Sequence, residues 1–164
     1  MLDPATPAIS MRVGKSERNG MTDVAALVGR IFISGVFIIS GISKLGAPTA
    51  TTAFISSVGL PFPQLGLAIG IVIETVVTVA FLVGYRTRMM AAIIVVYCFA
   101  TAIFFHNAWS DVNQLMHFWK NMTMAGGLMQ VMAFGAGRYS LDAFRNWKFG
   151  GATGSPNSIE ASHL

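Results

Sequence analysis

Charge is what this chain has least of. Asp, Glu, Lys and Arg together make up 11% of its 164 residues, where a soluble domain carries roughly 25%. Cysteine is almost missing as well. Cys98 stands alone, which excludes an intrachain disulfide, a C-x-x-C motif and any dithiol chemistry by the chain on its own. The basic residues form no patch interleaved with aromatics, so the net charge of +4 gives no footing for nucleic acid. No compact ligand spacing such as H-x-x-x-H occurs, and no metal site is assigned. Neither a nucleophile–base–acid set nor a phosphate-binding glycine loop is present, so no catalytic residue is assigned either. The first residues lack a basic stretch followed closely by an apolar core and a small-residue cleavage site, and a signal peptide is not expected.

What the chain has in abundance is apolar. Hydrophobic residues make up 54%, and the mean hydropathy is +0.62. These residues gather in four runs, and a hydrocarbon core of ~30 Å needs about 20 apolar residues at ~1.5 Å each. The predicted fold is therefore all-α: an integral membrane bundle of four transmembrane helices, with a short interfacial helix between spans one and two. Residues 1–22 read as a mobile tail, 23–149 as the membrane domain and 150–164 as a disordered tail.

The first span covers residues 24–44. Arg30, Ser34, Phe37, Gly41 and Lys44 fall at i, i+4, i+7, i+11 and i+14, which is one helix face. Residues 45–63 break the pattern: Pro48 can open a short helix and Gly59 can close it. The second span, 64–84, carries Glu74 near its middle. The third, 89–105, ends at His106. The fourth, 118–136, has Lys120 and Asn121 in its first turn and Gly126-Gly127 halfway along, where close backbone approach is expected. Residues 139–149 mix Phe144 and Trp147 with Arg145 and Lys148, as a helix lying on the membrane surface does. Most Lys and Arg residues flanking the spans (Arg12, Lys15, Arg18, Arg86, Arg88, Arg138, Arg145, Lys148) share one side, which predicts that both termini are cytoplasmic.

Glu74 is the residue that needs an explanation. An ionisable group at mid-span costs roughly 2.5–3.5 kcal/mol on insertion scales. Counted from the cytoplasmic ends, Arg30 lies ~9 Å deep and Glu74 ~15 Å deep, so Arg30 on the neighbouring span is the expected partner. Such a pair serves either a bound ligand or proton or the packing alone. Lys44, His106, Asp111, His117 and Lys120 fall at the opposite end, as an anion-binding mouth or as interface residues whose lysines reach for water. The candidate buried polar centre is thus Glu74, Arg30, Lys44, Lys120, Asn121 and His106.

GRIFISGVFIISGISKL, GLPFP, the mid-span Glu74, GYRTRMMA, His106, KNMTMAGGLMQ and GRYSLDAF follow one another over residues 29–144. In that order and spacing the chain resembles the DoxX family. Its members are small four-helix bacterial membrane proteins, named for likeness to a subunit of an archaeal thiosulfate:quinone oxidoreductase. The resemblance implies the bacterial inner membrane and an accessory place in a membrane redox or oxidative-stress system. Partners would be the lipid bilayer and oxidoreductase subunits, and quinone is the implied cofactor. On this reading a lipophilic or anionic ligand sits near Glu74 and Arg30, with Lys44 at the outer entrance. Two other readings remain open. One is a proton-coupled carrier or channel that uses Glu74 and works as a homo-oligomer. The other is a structural or chaperone-like protein.

Overall fold

The computed structural model describes the backbone of residues 6–150 and the side chains of residues 20–148. The described residues form helices and turns without a strand: α1 (Thr6–Gly46), α2 (Pro48–Ser57), α3 (Pro63–Leu82), α4 (Thr87–Phe105), α5 (Val112–Phe134) and α6 (Leu141–Gly150). Helix α1 begins inside the predicted N-terminal tail. Pro7 stands in its first turn, where proline is tolerated, and no later proline interrupts the helix before Gly46. Residues 1–5, and the predicted disordered tail beyond Gly150, lie outside the described residues.

Three helical stretches are long and apolar enough to cross a membrane: Gly20–Gly46 of α1, then α3 and α4. In these windows only 22%, 22% and 33% of residues are buried against protein. Ile31, Phe32, Val36 and Ile39 of α1 point outward and are exposed. Apolar surface on that scale belongs in lipid. Helix α5, at 23 residues, has the length to span (~34 Å at ~1.5 Å per residue) and packs along α4 in the most extensive helix contact of the fold. Its apolar character is diluted, because Asn113, Gln114, His117, Lys120 and Asn121 crowd its first turns.

The expected interfacial helix is α2. Proline opens it, and Gly59 beyond its end has φ +79°, a left-handed conformation that glycine adopts without steric cost. The core lies between α1, α3, α4 and α5, around Phe37, Phe81, Ile94, Cys98 and Leu128. Gly127 meets α1 at Ile33, while Gly126 faces open space, so only one of the paired glycines serves close packing.

The bundle has two ends. The turn end holds the α3–α4 turn and the start of α6, which are stitched together: Leu141 N–H donates to the Val83 carbonyl at 3.1 Å and Asp142 N–H to the Gly84 carbonyl at 2.9 Å. The loop end holds α2 and the link between α4 and α5.

Candidate functional site

The α1 stripe faces inward as its spacing requires. Arg30, Ser34, Phe37 and Gly41 are buried, and the Lys44 side chain is 25% exposed. Glu74 on α3 has 5% of its side chain exposed. Lys44 Nζ donates to both carboxylate oxygens, at 2.9 Å to Oε1 and 2.7 Å to Oε2. It also donates to Ser40 Oγ, one turn back on α1, at 2.8 Å. The Tyr97 hydroxyl of α4 donates to Glu74 Oε1 at 2.8 Å. A carboxylate inside apolar helices is thus met by an ammonium from one helix and a phenol from another, which is how a buried charge becomes tolerable.

Arg30 is not the partner of Glu74. It lies ~21 Å from Lys44 along α1 and works at the turn end. Its Nη1 donates to the Leu82 carbonyl at 2.7 Å, and its Nη2 donates to the Tyr139 carbonyl. The Leu82 carbonyl is among the last of α3, where helix carbonyls lack intrahelical donors and the dipole favours a cation. Counting depth from the helix ends misplaces the pair because it ignores where the side chains reach. Lys44 folds back inward by one turn, to Ser40, whereas Arg30 reaches outward to the turn. Arg30 Nε and Ser34 Oγ, on the same face, are buried without a hydrogen-bond partner.

The backbone is also adapted at Glu74. Ile73–Val77 form a single π-helical turn inside α3, and the Thr78 hydroxyl donates to the Ile73 carbonyl at 2.8 Å. Such bulges widen a helix by one residue and recur at functional sites. Glycine lets the helices close on the carboxylate. A Cβ at Gly41 would lie 2.8 Å from Thr75 Cγ2 and 3.1 Å from Glu74 Cβ, and one at Gly70 would lie 3.2 Å from Tyr97 Oη. Beside the cluster an apolar groove of about 460 Å³ runs between α3 and α4, lined by Ile69, Ile73, Ile93, Val96 and Tyr97 among others. Tyr97 therefore borders the lipid-side groove and touches the buried carboxylate. The arrangement offers two strong donors, Lys44 Nζ and Tyr97 Oη, to any carbonyl or anion that displaces part of the Glu74 contact.

The remaining candidates lie elsewhere. His106 Nδ1 is 2.8 Å from Gln114 Oε1, and its ring stacks on His117 with centroids 5.0 Å apart. Asn121 donates to the His117 carbonyl at 3.1 Å and accepts from the Thr101 hydroxyl at 3.2 Å. Lys120 is exposed. None of these contacts includes Lys44 or Glu74, so the six candidates divide among three places.

Sequence reasoning missed Tyr97, Ser40 and Asp142. Ser40 and Tyr97 sit in apolar runs and carry no spacing signal of their own. Asp142 closes the turn end: it accepts from Arg86 N–H, Thr87 N–H and the Thr87 hydroxyl, each at 2.8 Å. It thereby caps α4 from another element. Burial alone would raise the Asp142 carboxyl, but the Thr87 and Arg86 hydrogen bonds and the Arg145 charge outweigh it and hold the group below its ordinary value.

The DoxX family model matches residues 25–107. The chain is 31% identical to inner membrane protein YphA of Escherichia coli (strain K12), over 73% of this chain and 89% of that protein. It is 34% identical to inner membrane protein YqjF of the same organism, over 79% of this chain and 98% of that protein. No solved structure gives a significant match.

Proposed function

This chain belongs to the DoxX family, and from that premise we propose a multi-pass inner-membrane protein that holds a lipophilic, quinone-type ligand at Lys44, Glu74 and Tyr97. It acts as an accessory subunit of a membrane redox or oxidative-stress system. The observation that carries the reading is the three-residue cluster itself: an ammonium, a carboxylate and a phenol joined by hydrogen bonds inside apolar helices, at the edge of an apolar groove. An intramembrane ionisable residue marks a functional site by default, and a groove with few converging polar groups is what a cofactor site needs. The ring and tail of a quinone suit the groove. One of its carbonyls suits the Tyr97 hydroxyl or Lys44 Nζ. Arg30, counted in the same centre by sequence, takes no part, and its role is to hold the turn end.

In this reading α5 is the fourth span, and both termini face the cytoplasm. Arg86, Arg88, Arg138, Arg145 and Lys148 then lie on the side that the positive-inside rule assigns to them. Oxidoreductase subunits or a second copy of the chain are the partners that such a protein would have in the bilayer.

The test is chemical. The protein is purified in mild detergent beside Lys44→Met and Tyr97→Phe, and its bound lipid is extracted and analysed by mass spectrometry. The wild type is expected to retain isoprenoid quinone in stoichiometric amount, Lys44→Met little, and Tyr97→Phe less than wild type. If the wild type carries no more quinone than an unrelated membrane protein from the same membranes, and no oxidoreductase copurifies, the proposal fails.

A further inference from the structure

The turn end carries a polar feature that the Lys44–Glu74–Tyr97 cluster does not use. A cavity of about 560 Å³ opens between the α3–α4 turn, the link from α5 and helix α6. Arg86, Arg88 and Arg145 line it, with Ser140, Asp142 and Asn146. Among the described residues Asp142 is its only carboxylate, and three donors from Arg86 and Thr87 already occupy that group. Among the described residues the ion pairs are Lys44–Glu74 and Arg138–Asp23, and neither takes in any of the three arginines. Arg88 reaches the Ala133 carbonyl only at 3.4 Å, and the Arg145 guanidinium lies 5.7 Å above the Tyr85 ring. All three arginines are exposed. Three guanidiniums thus line one hollow beside a single described carboxylate, which feels the Arg145 charge and takes its hydrogen bonds from the Arg86 and Thr87 N–H groups and the Thr87 hydroxyl.

The position of the hollow selects the anion. It lies where α4 begins and α5 ends, and the ends of spanning helices are where lipid headgroups meet protein. Its outer wall, α6, is an amphipathic helix with Phe144 and Trp147 exposed, as interfacial helices have. Met89, on the cavity wall, and Ile93, one turn further along α4, are exposed apolar residues that continue from the arginines toward the hydrocarbon. Guanidinium pairs with phosphate through two parallel hydrogen bonds, and basic hollows at span ends fit anionic headgroups. We propose that this cavity binds the headgroup phosphate of an anionic phospholipid, gripped by Arg86, Arg88 and Arg145, with an acyl chain along α4. Setting topology needs only charge near a span. Convergence on a hollow that leads into an apolar track needs a ligand of two-part chemistry.

The full-length protein in nonionic detergent, titrated with phosphatidylglycerol or with phosphatidylcholine of the same acyl chains and read by native mass spectrometry, tests this. The wild type is expected to retain phosphatidylglycerol preferentially. Each arginine near a membrane surface is worth about a fivefold change, so Arg86→Gln, Arg88→Gln and Arg145→Gln should each weaken retention roughly fivefold, and the triple variant on the order of a hundredfold. Arg138→Gln, whose arginine pairs with Asp23 outside the cavity, should leave retention unchanged. If the triple variant does not fold, the single variants carry the reading. Equal retention of the two lipids, or single variants indistinguishable from Arg138→Gln, would overturn the proposal. So would inorganic phosphate at low millimolar concentration displacing the lipid, because the site would then take a free oxyanion rather than a headgroup.

Discussion

Arg30 and Lys44 stand on the same face of the same helix, and each reaches across to α3, yet their partners differ in kind. Arg30 is fully buried and donates to two backbone carbonyls, those of Leu82 and Tyr139. These acceptors are fixed by the fold and cannot leave. Lys44 keeps a quarter of its side chain exposed and donates to side chains, Glu74 and Ser40, which can turn aside. Guanidinium is planar, always charged and suited to two acceptors at once, whereas an ammonium on a flexible stem accepts rearrangement. A cation tied to carbonyls holds a turn, and a cation tied to a carboxylate beside a groove leaves room for exchange. On the proposed reading, the contrast separates scaffold from site within one stripe.

Removing Arg30 should have the largest effect. Arg30→Met keeps much of the volume but strands the Leu82 and Tyr139 carbonyls. Two charge-assisted hydrogen bonds at ~1.5–3 kcal/mol each, partly offset because a lone buried charge is also removed, give a loss of about 3 kcal/mol. Thermal or denaturant unfolding in detergent measures it, and bound ligand in the surviving folded fraction should match wild type. If Arg30→Met kept its stability and lost the ligand, the two cations would have to exchange roles.

The second effect concerns the pair itself. In a double-mutant cycle of Lys44→Met and Glu74→Gln, the interaction energy should come to about 2 kcal/mol, within the range for contacting residues. It should be favourable, because each single change leaves a partner buried without its counter-charge. A coupling near zero would mean that the ammonium spends its time in solvent, and that the exposed quarter of its side chain describes it better than the bonded remainder.

How much of this the sequence discloses depends on the kind of signal. Helices in lipid announce themselves by length and hydropathy, so α1, α3 and α4 are legible, and proline with glycine marks α2. The inward stripe of α1 is legible because period 3.6 brings Arg30, Ser34, Phe37, Gly41 and Lys44 into line. Pairing across helices is not. Glu74 signals a need for a partner, but two cations lie on the facing stripe, and only the direction each side chain takes decides between them. The π turn at Ile73–Val77 shifts the register of α3 at just this point, and no residue of the run betrays it. Tyr97 is one aromatic among many apolar neighbours, and its hydroxyl acquires meaning only when α4 packs against α3. Asp142 lies far along the chain from the Arg86 and Thr87 donors that it satisfies, beyond the reach of any local pattern.

Asp142 extends the comparison to a third mode, a carboxylate that serves backbone donors. Asp142→Ala should cost about 0.5–2 kcal/mol, the range for a lost helix cap. Its pH dependence identifies the cause. The folded carboxyl is held below its ordinary value of 3.8, so its contribution is fully present above that value and is lost as pH falls through the lower folded one. Wild type should lose stability on acidification below about pH 3.8, and Asp142→Ala should lose less over the same interval. Parallel melting curves for the two proteins would show that the clamp does not titrate with folding.

Tyr97→Phe is the smallest change and the most discriminating. It deletes one hydroxyl and leaves the ring in place. Interhelical hydrogen bonds within membranes average only ~0.6 kcal/mol, so unfolding should move by that order, well below the Arg30 effect. Glu74 keeps both hydrogen bonds from Lys44 Nζ, so the ion pair should survive. A purely structural cluster would show that modest loss and nothing else. On the proposed reading the site loses the hydroxyl of the residue that both lines the groove and bonds the carboxylate, so bound quinone should fall in Tyr97→Phe by more than the shift in stability explains. The two readouts, melting and ligand content, must therefore be taken on the same preparation. If ligand content tracks stability across Arg30→Met, Lys44→Met and Tyr97→Phe alike, the scaffold and the site are one and the same, and the contrast between the two cations reduces to a difference in burial.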